Sequence, residues 1–140
     1  MVHYYLDKII DYKKIFEKLP GNYTYLKYKN KKFYYENISD EIVNNYDEDR
    51  KKQQGEEFFS IVSIGTTQKN IDILKSGVKE IIKTKLPFKP SVIRYDMKNV
   101  ETYWDLEFTP ILNSKNDIIG LLIGSVDVTD LIKSMRKKNV

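Results

Sequence analysis

Few side chains in this sequence have the types and spacing to do chemistry, and those that do point to binding rather than to bond making. The 140 residues include no cysteine and one histidine, His3. Disulfides, thiol nucleophiles and cysteine-ligated metals are therefore excluded, and one imidazole supplies neither a metal cluster nor an evident base for any serine. The carboxylate pairs Asp40-Glu41 and Glu56-Glu57 lie in polar surroundings, where a capping or solubilising role is expected of them. No glycine-rich phosphate loop is present. An enzyme is not expected. Arg94 falls in a strand-like segment and would demand a buried anion, such as a ligand carboxylate, if it pointed inward. Its apolar or amphipathic neighbours Ile93 and Tyr95 favour the outward reading.

A second constellation is basic. Lys27, Lys29, Lys31 and Lys32 interleave with Tyr23, Tyr25, Tyr28 and Phe33. On a sheet that pattern can stack and hold a single nucleic-acid strand. It equally describes an edge hairpin whose lysines deter strand-to-strand aggregation. Acidic residues scattered through the rest of the chain favour the hairpin, so nucleic acid is not the expected partner. The net charge of +4 then belongs to a lysine-rich solvated surface.

These groups must be positioned by one domain, since the length allows a single core and little more. Tyr5, Ile9, Tyr12, Phe16 and Leu19 trace one apolar stripe of a helix over 3–19, stopped by Pro20-Gly21. A hairpin follows, turning at Lys29-Asn30-Lys31-Lys32, with Phe33, Tyr35 and Asn37 sharing one face of its second strand. Ser39 is placed to cap a short helix over 40–46, and 47–57 reads as a polar loop or a solvated helical turn. The run 58–64 fits either a buried strand or a short core helix. Thr67 caps a longer helix, roughly 68–84, with Ile71, Leu74, Val78 and Ile81 as its core stripe and Pro87 and Pro90 at its exit.

Three strands close the chain, over 91–97, 102–112 and 118–126. In the middle one Trp104, Leu106 and Phe108 face one way, and Tyr103, Asp105, Glu107 and Thr109 the other. The last is apolar on both faces, so one face needs a further cover, either the N-terminal helix or a partner subunit. The order implies an α+β fold: a five-stranded antiparallel sheet with helices clamped on one face.

The segment Tyr103-Trp-Asp-Leu-Glu-Phe-Thr-Pro110-Ile, then Ile119-Gly120, then Asp127-Val-Thr129 resembles the last two strands and closing signature of the PAS sensor domain. The run Phe33-Tyr-Tyr-Glu-Asn37 looks like the family's second strand, and Lys18-Leu-Pro-Gly-Asn-Tyr23 like its lead-in. The likeness covers roughly 13–133, although the turn after Asp96 lacks the family's frequent glycine and no threonine-glycine step follows the second strand.

The resemblance implies a flanking amphipathic helix over 1–20, a PAS-like sensor over 21–126, and the start of an output or linker helix over 127–140. Tyr35, Asn37, Leu74, Val78, Trp104, Leu106, Phe108, Leu121, Ile123 and Ser125 would face the space between sheet and helices. Two readings of that set stay open: a small-ligand pocket, or a core that aromatics such as Trp104 fill. Asp127 and Thr129 would relay a sheet movement into the terminal helix, and a plain helix cap is the simpler alternative. A covalent flavin adduct and a linked coumarate both need a cysteine, and haem in these domains usually hangs on a histidine of the long helix, which this chain lacks. Trp104 would crowd a non-covalent flavin. A colourless metabolite, or no ligand, is the expectation.

The implied function is a sensory or regulatory module of a bacterial signalling protein. It would be homodimeric and linked in a longer chain to an output domain, such as a histidine kinase, cyclase or transcription regulator. A basic single-stranded nucleic-acid-binding module and a standalone small-molecule carrier of another α+β fold are the alternatives. No apolar run approaches a membrane span and no signal-peptide pattern opens the chain, so a cytoplasmic location is expected.

Overall fold

The computed structural model describes residues 11–138, so His3, Tyr5 and Ile9 lie outside the described residues. Helix α1 (Tyr12–Glu17) leads into strands β1 (Asn22–Lys29) and β2 (Lys32–Ile38). Helices α2 (Asp40–Tyr46), α3 (Arg50–Gln53), α4 (Phe58–Val62) and α5 (Gln68–Thr84) follow. The chain then forms β3 (Ile93–Met97), β4 (Val100–Leu112), β5 (Ile118–Asp127) and α6 (Thr129–Lys138). The strands make one antiparallel sheet in the order β2-β1-β5-β4-β3. The apolar β5 therefore lies at its centre, as a strand needing cover on both faces should.

The inner face carries the core. Leu26, Phe108 and Leu121 from the sheet and Leu74 and Ile81 from α5 are all but inaccessible to solvent. Thr67 caps α5 by accepting from the Asn70 amide at 3.2 Å, and Ile71, Leu74, Val78 and Ile81 are its buried face as the 3.6-residue period requires. The ambiguous run 58–64 resolves as α4, with Glu57 as its side-chain cap and Phe58 buried. On the outer face α1 sets Phe16 edge-on against Tyr25, ring centroids 6.5 Å apart.

Ser39 departs from its expected role. It sits at the N-terminus of α2 but makes no side-chain cap bond. Its hydroxyl instead donates to the Gly21 carbonyl at 2.8 Å and accepts from the Tyr23 amide at 3.0 Å. Fully buried, it serves the start of β1 because unpaired backbone groups there would cost more than a frayed helix end.

Both outer strands are hydrogen-bonded along their edges. Beside β2, the Tyr35 amide donates to the Glu56 carbonyl at 2.8 Å and the Gly55 amide to the Tyr35 carbonyl at 2.7 Å. Beside β3, the Asp96 amide donates to the Gly65 carbonyl at 2.7 Å. Further along, Phe88 and Phe108 exchange two backbone bonds of 2.9 and 2.8 Å. The turn after Asp96 manages without glycine by placing Lys98 and Asn99 at φ 50° and 66°.

The β1–β2 turn likewise holds Asn30 and Lys31 at φ 52° and 65°, the left-handed pair that a two-residue hairpin requires and that Asn-Gly serves best. A lysine there carries a left-handed cost of roughly 1–2 kcal/mol, partly offset by the extra entropy glycine loses on folding. Lys31→Gly is expected to stabilise the protein by about 0.5–1 kcal/mol, read as a higher urea midpoint at constant m-value. An unchanged midpoint would show that the turn relaxes away from this geometry.

Candidate functional site

Between the inner sheet face and helices α2–α5 lies a cavity of about 160 Å³. Among the residues singled out from sequence, Tyr35, Leu74, Trp104, Leu106, Phe108, Ile123 and Ser125 line it. Val78 and Leu121 face the same interior but are packed in the core away from the cavity wall.

Asn37 is a correction. A bulge at Tyr25/Leu26 leaves Glu36 without a partner, so Tyr35 pairs with Leu26 while Asn37 pairs with Tyr25. The extra residue inverts the alternation. Asn37 turns to the outer face, where its amide donates to Glu17 of α1 at 3.1 Å. Ile38 takes the inward place and lines the cavity instead.

Sequence reasoning missed further lining residues. Asn22 and Thr24 enter from β1, Glu48 and Gln53 from the α2–α4 region, and Ile93, Tyr95 and Met97 from β3. Alternation about the outward Arg94 was a usable signal for Ile93 and Tyr95. Arg94 does point outward, bonding Asp96 at 3.0 Å. Nothing in the polar run 47–57 distinguishes Glu48.

Trp104 is pinned by its indole N–H, which donates to the Thr102 hydroxyl at 2.8 Å. The Glu48 carboxylate accepts from the Gln53 amide at 2.9 Å. Burial above all, then the nearby Tyr95, Glu48 and Glu57, pushes the Tyr35 hydroxyl far above the usual phenol range. It stays neutral.

The second part of the site is the β5–α6 junction. Trp104 of β4 stands opposite Asp127 of β5. Its neighbour Tyr103 donates its amide to the Thr129 hydroxyl at 2.9 Å, and its carbonyl accepts from the Val128 amide at 2.9 Å. Asp127 accepts from the Thr129 amide at 2.9 Å, while its other oxygen accepts from the Tyr46 hydroxyl at 2.8 Å. The Tyr46 ring packs edge-on against Trp104, centroids 5.1 Å apart. Farther along α6, Arg136 lies 5.0 Å over the Tyr103 ring and binds Glu101 at 3.1 Å. The helix is fastened to β4 at both its start and its third turn.

The Tyr46–Asp127 clasp titrates at both ends. Burial tends to raise the Asp127 carboxyl, but hydrogen bonds from Thr129 and Tyr46 outweigh it and hold the group below the usual carboxylate range. Burial, then the bond to Asp127, pushes Tyr46 up to about 12. A depressed carboxyl contributes stability above its unfolded value near ~4 and loses it as pH falls further; a raised phenol contributes below its unfolded value near ~10 and loses it as pH rises. The stability difference between wild type and Tyr46→Phe, from urea unfolding, is therefore expected to be flat between about pH 5 and 9 and to shrink outside that window. A difference that does not depend on pH would count against the clasp.

No family model matches the chain, and no curated protein matches it in sequence. Among solved structures, an RNA-binding light-oxygen-voltage receptor superposes with a TM-score of 0.72 at 10% identity, over 93% of this chain and 34% of its own. The chain thus spans only about a third of that receptor. A PAS domain of a protein from Colwellia psychrerythraea gives 0.65 at 13% identity, covering 90% and 98% of the two chains. The fold is that of a PAS domain. The PAS domain of the fruit-fly ELK potassium channel agrees, at 0.63 and 18% identity over 89% and 98%.

Within this PAS fold the residues do not suit a flavin. A cavity of about 160 Å³ holds roughly one six-membered ring rather than three fused ones. The sequence also has no cysteine to form an adduct. Among the described residues no group of three or more His, Asp or Glu could hold a metal ion, and no helix is long and apolar enough to cross a membrane. Nor does the hairpin offer its full aromatic set for stacking bases, since Phe33 is only 3% exposed and packs with Tyr28 inside the sheet.

Proposed function

We propose that this chain is a sensory module of a signalling protein, in which a small molecule in the inner cavity biases α6. The carrying observation is adjacency. Trp104 forms the cavity wall, the next residue back along β4 holds Val128 and Thr129, and Tyr46 touches both Trp104 and Asp127. A ligand that displaces β4 at Trp104 must displace the anchor of α6 with it, because no flexible link intervenes. In this reading residues 1–20 flank the sensor, 21–126 form it, and 127–140 begin the helix that leads to an output domain in a longer bacterial protein. A histidine kinase, cyclase or transcription regulator would serve as that output.

Thr129→Val tests the relay. It leaves the Tyr103 amide unpaired and removes the bond that the Thr129 hydroxyl donates to Asp127, a loss of about 1–2 kcal/mol. Amide exchange over 130–138 is expected to accelerate by roughly ten-fold or more while β1 and β5 keep their protection. Exchange that stays unchanged would mean that the junction does not hold the helix. Native mass spectrometry of the purified chain addresses the ligand: a stoichiometric small mass supports sensing, and a bare mass moves the reading to protein interaction.

A homodimer is favoured by one further observation. Leu131 and Met135, one turn apart on α6, are 59% and 52% exposed, and Val126 of the outer sheet face is also exposed. Covering them against a second copy would bury an apolar stripe. Sedimentation showing only monomer at high concentration would dispose of this part.

A further inference from the structure

The two ends of the sheet treat their cations differently. Around the β3–β4 turn they are neutralised, Lys98 by Asp47 and Arg94 by Asp96. Around the β1–β2 turn, at the opposite end, they are not. β1 and β5 run antiparallel with Lys27 opposite Gly120, so the β1–β2 turn lies beside the 113–117 turn that precedes Ile118. The end of α5 joins them, since the Lys85 ammonium donates to the Asn116 carbonyl at 2.6 Å. Lys27, Lys29, Lys31, Lys32 and Lys115 are exposed here and Lys85 is half-buried. None of these six has an ion-pair partner among the described residues. The neighbouring carboxylates, Glu36, Glu57, Glu80 and Asp117, are fewer, and Glu57 is turned to the Phe59 amide.

Two further observations mark this end as an interface. Leu86, next to Lys85, is 63% exposed, and Ile119, at the start of β5, is 42% exposed. Lys31 is held at φ 65° with no side-chain hydrogen bond or ion pair among the described residues, whereas Lys98, at φ 50°, is anchored by bonds to Asp47. A strained residue with nothing inside the molecule to hold it there points to a role outside it.

We propose that this end of the protein docks on an anionic lipid surface, with the lysines on the headgroups and with Leu86 and Ile119 entering the interfacial layer. Clustered lysines near such a surface add their attractions, and salt screens the sum. The aliphatic side chains contribute a part that salt does not screen. Nucleic acid would use the same charges but not Leu86 and Ile119, and its bases would find Phe33 buried. β5 runs for ten residues from this end to Asp127, which sets the β5–α6 junction roughly 30 Å from the lipid. Docking therefore leaves α6 clear, and it does not depend on what the inner cavity holds.

Flotation of the purified chain with vesicles tests the proposal. At low salt, phosphatidylcholine vesicles with about one-third phosphatidylserine are expected to bind it about 100-fold more tightly than phosphatidylcholine alone, an advantage lost by about 0.5 M salt. Reversing two charges, Lys29→Glu with Lys32→Glu, should abolish binding. Lys31→Gly, which stabilises the fold, should still weaken binding about five-fold, a split that a purely structural lysine would not show. Leu86→Ser with Ile119→Ser should weaken it about ten-fold and leave the salt dependence as it was. Lys133→Glu with Lys137→Glu makes the same charge change on exposed positions of α6 and is expected to shift binding by less than about two-fold. Unchanged Trp104 fluorescence in each variant controls for folding. Equal binding to both vesicles, or none to either, overturns the proposal, as does binding that survives the hairpin reversals. Loss through the α6 pair would move the lipid contact to that helix and overturn it too. So would a single-stranded oligonucleotide that binds more tightly than the charged vesicles and ignores the serine substitutions, since that gives the surface to nucleic acid.

Discussion

Phe108→Ala is expected to remove about 3–5 kcal/mol of folding stability, the range for deleting a buried phenylalanine. Phe108 has no solvent exposure, and its ring sits 5.9 Å from that of Phe88 and 6.1 Å from that of Phe58. Two features place the loss toward the upper end. The residue is tied on one side to Phe88 by two backbone bonds and on the other to Ile123 in the β4–β5 ladder. Those ties stop the walls from collapsing. The new void would also merge with the existing cavity, of which Phe108 is already a wall. Against a total of roughly 5–15 kcal/mol for a domain, that loss is a large share. Urea unfolding should show the midpoint falling by about 2 M, and saturating benzene should restore part of it by filling the enlarged space. A loss under about 1 kcal/mol would contradict the packing described.

Gly77→Ala carries the second large effect, and its sign is decided by two opposing magnitudes. Alanine in a helix interior is worth about 1 kcal/mol over glycine. At this position, however, a Cβ would lie 2.2–2.4 Å from ring atoms of Phe88. Phe88 cannot easily give way, because its backbone is bridged to Phe108 and it stands between Pro87 and Pro90. Expelling the ring would forfeit about 2–3 kcal/mol of burial and roughly 1 kcal/mol of aromatic contact. The net expectation is destabilisation by about 1–3 kcal/mol despite the better helix former. In a Phe88→Ala background the clash is gone, and the same substitution should become stabilising by about 1 kcal/mol. Thermal unfolding of the four proteins of this cycle reads the reversal. Destabilisation persisting in the second background would refute the steric account.

The two largest effects fall on residues that the sequence reveals unequally. Phe108 is visible from strand alternation alone, as are Trp104 and Leu106, because period-two patterning needs only local information. The stripe of α5 and its Thr67 cap are legible for the same reason. Gly77 is not, since the need for a bare backbone there comes from Phe88, which returns from beyond the helix. Asn37 shows how local patterning fails. One unpaired residue, Glu36, shifts the alternation, and a bulge leaves no mark in a run of tyrosines. Ser39 carries the sequence signature of a cap but satisfies β1, a contact between residues 16 and 18 apart. Asn22, Glu48 and Gln53 read as surface polars, and only the packing of α2–α4 over the sheet brings them to the cavity. At the junction only the Asp127–Thr129 bond is legible, because it spans two residues; the ties to Tyr103 and Tyr46 come from 26 and 81 residues away.

The loops laid along β2 and β3 have a bearing on how the molecule meets its own kind. With Gly55 and Glu56 occupying the β2 flank, Gly65 the β3 flank and Phe88 the stretch of β4 beyond β3, an incoming chain finds fewer free amides and carbonyls there to template on. Stacking of copies into a growing cross-β fibril would first require those guards to peel away. Fibril growth through these two edges is thereby opposed without any proline on the strands themselves.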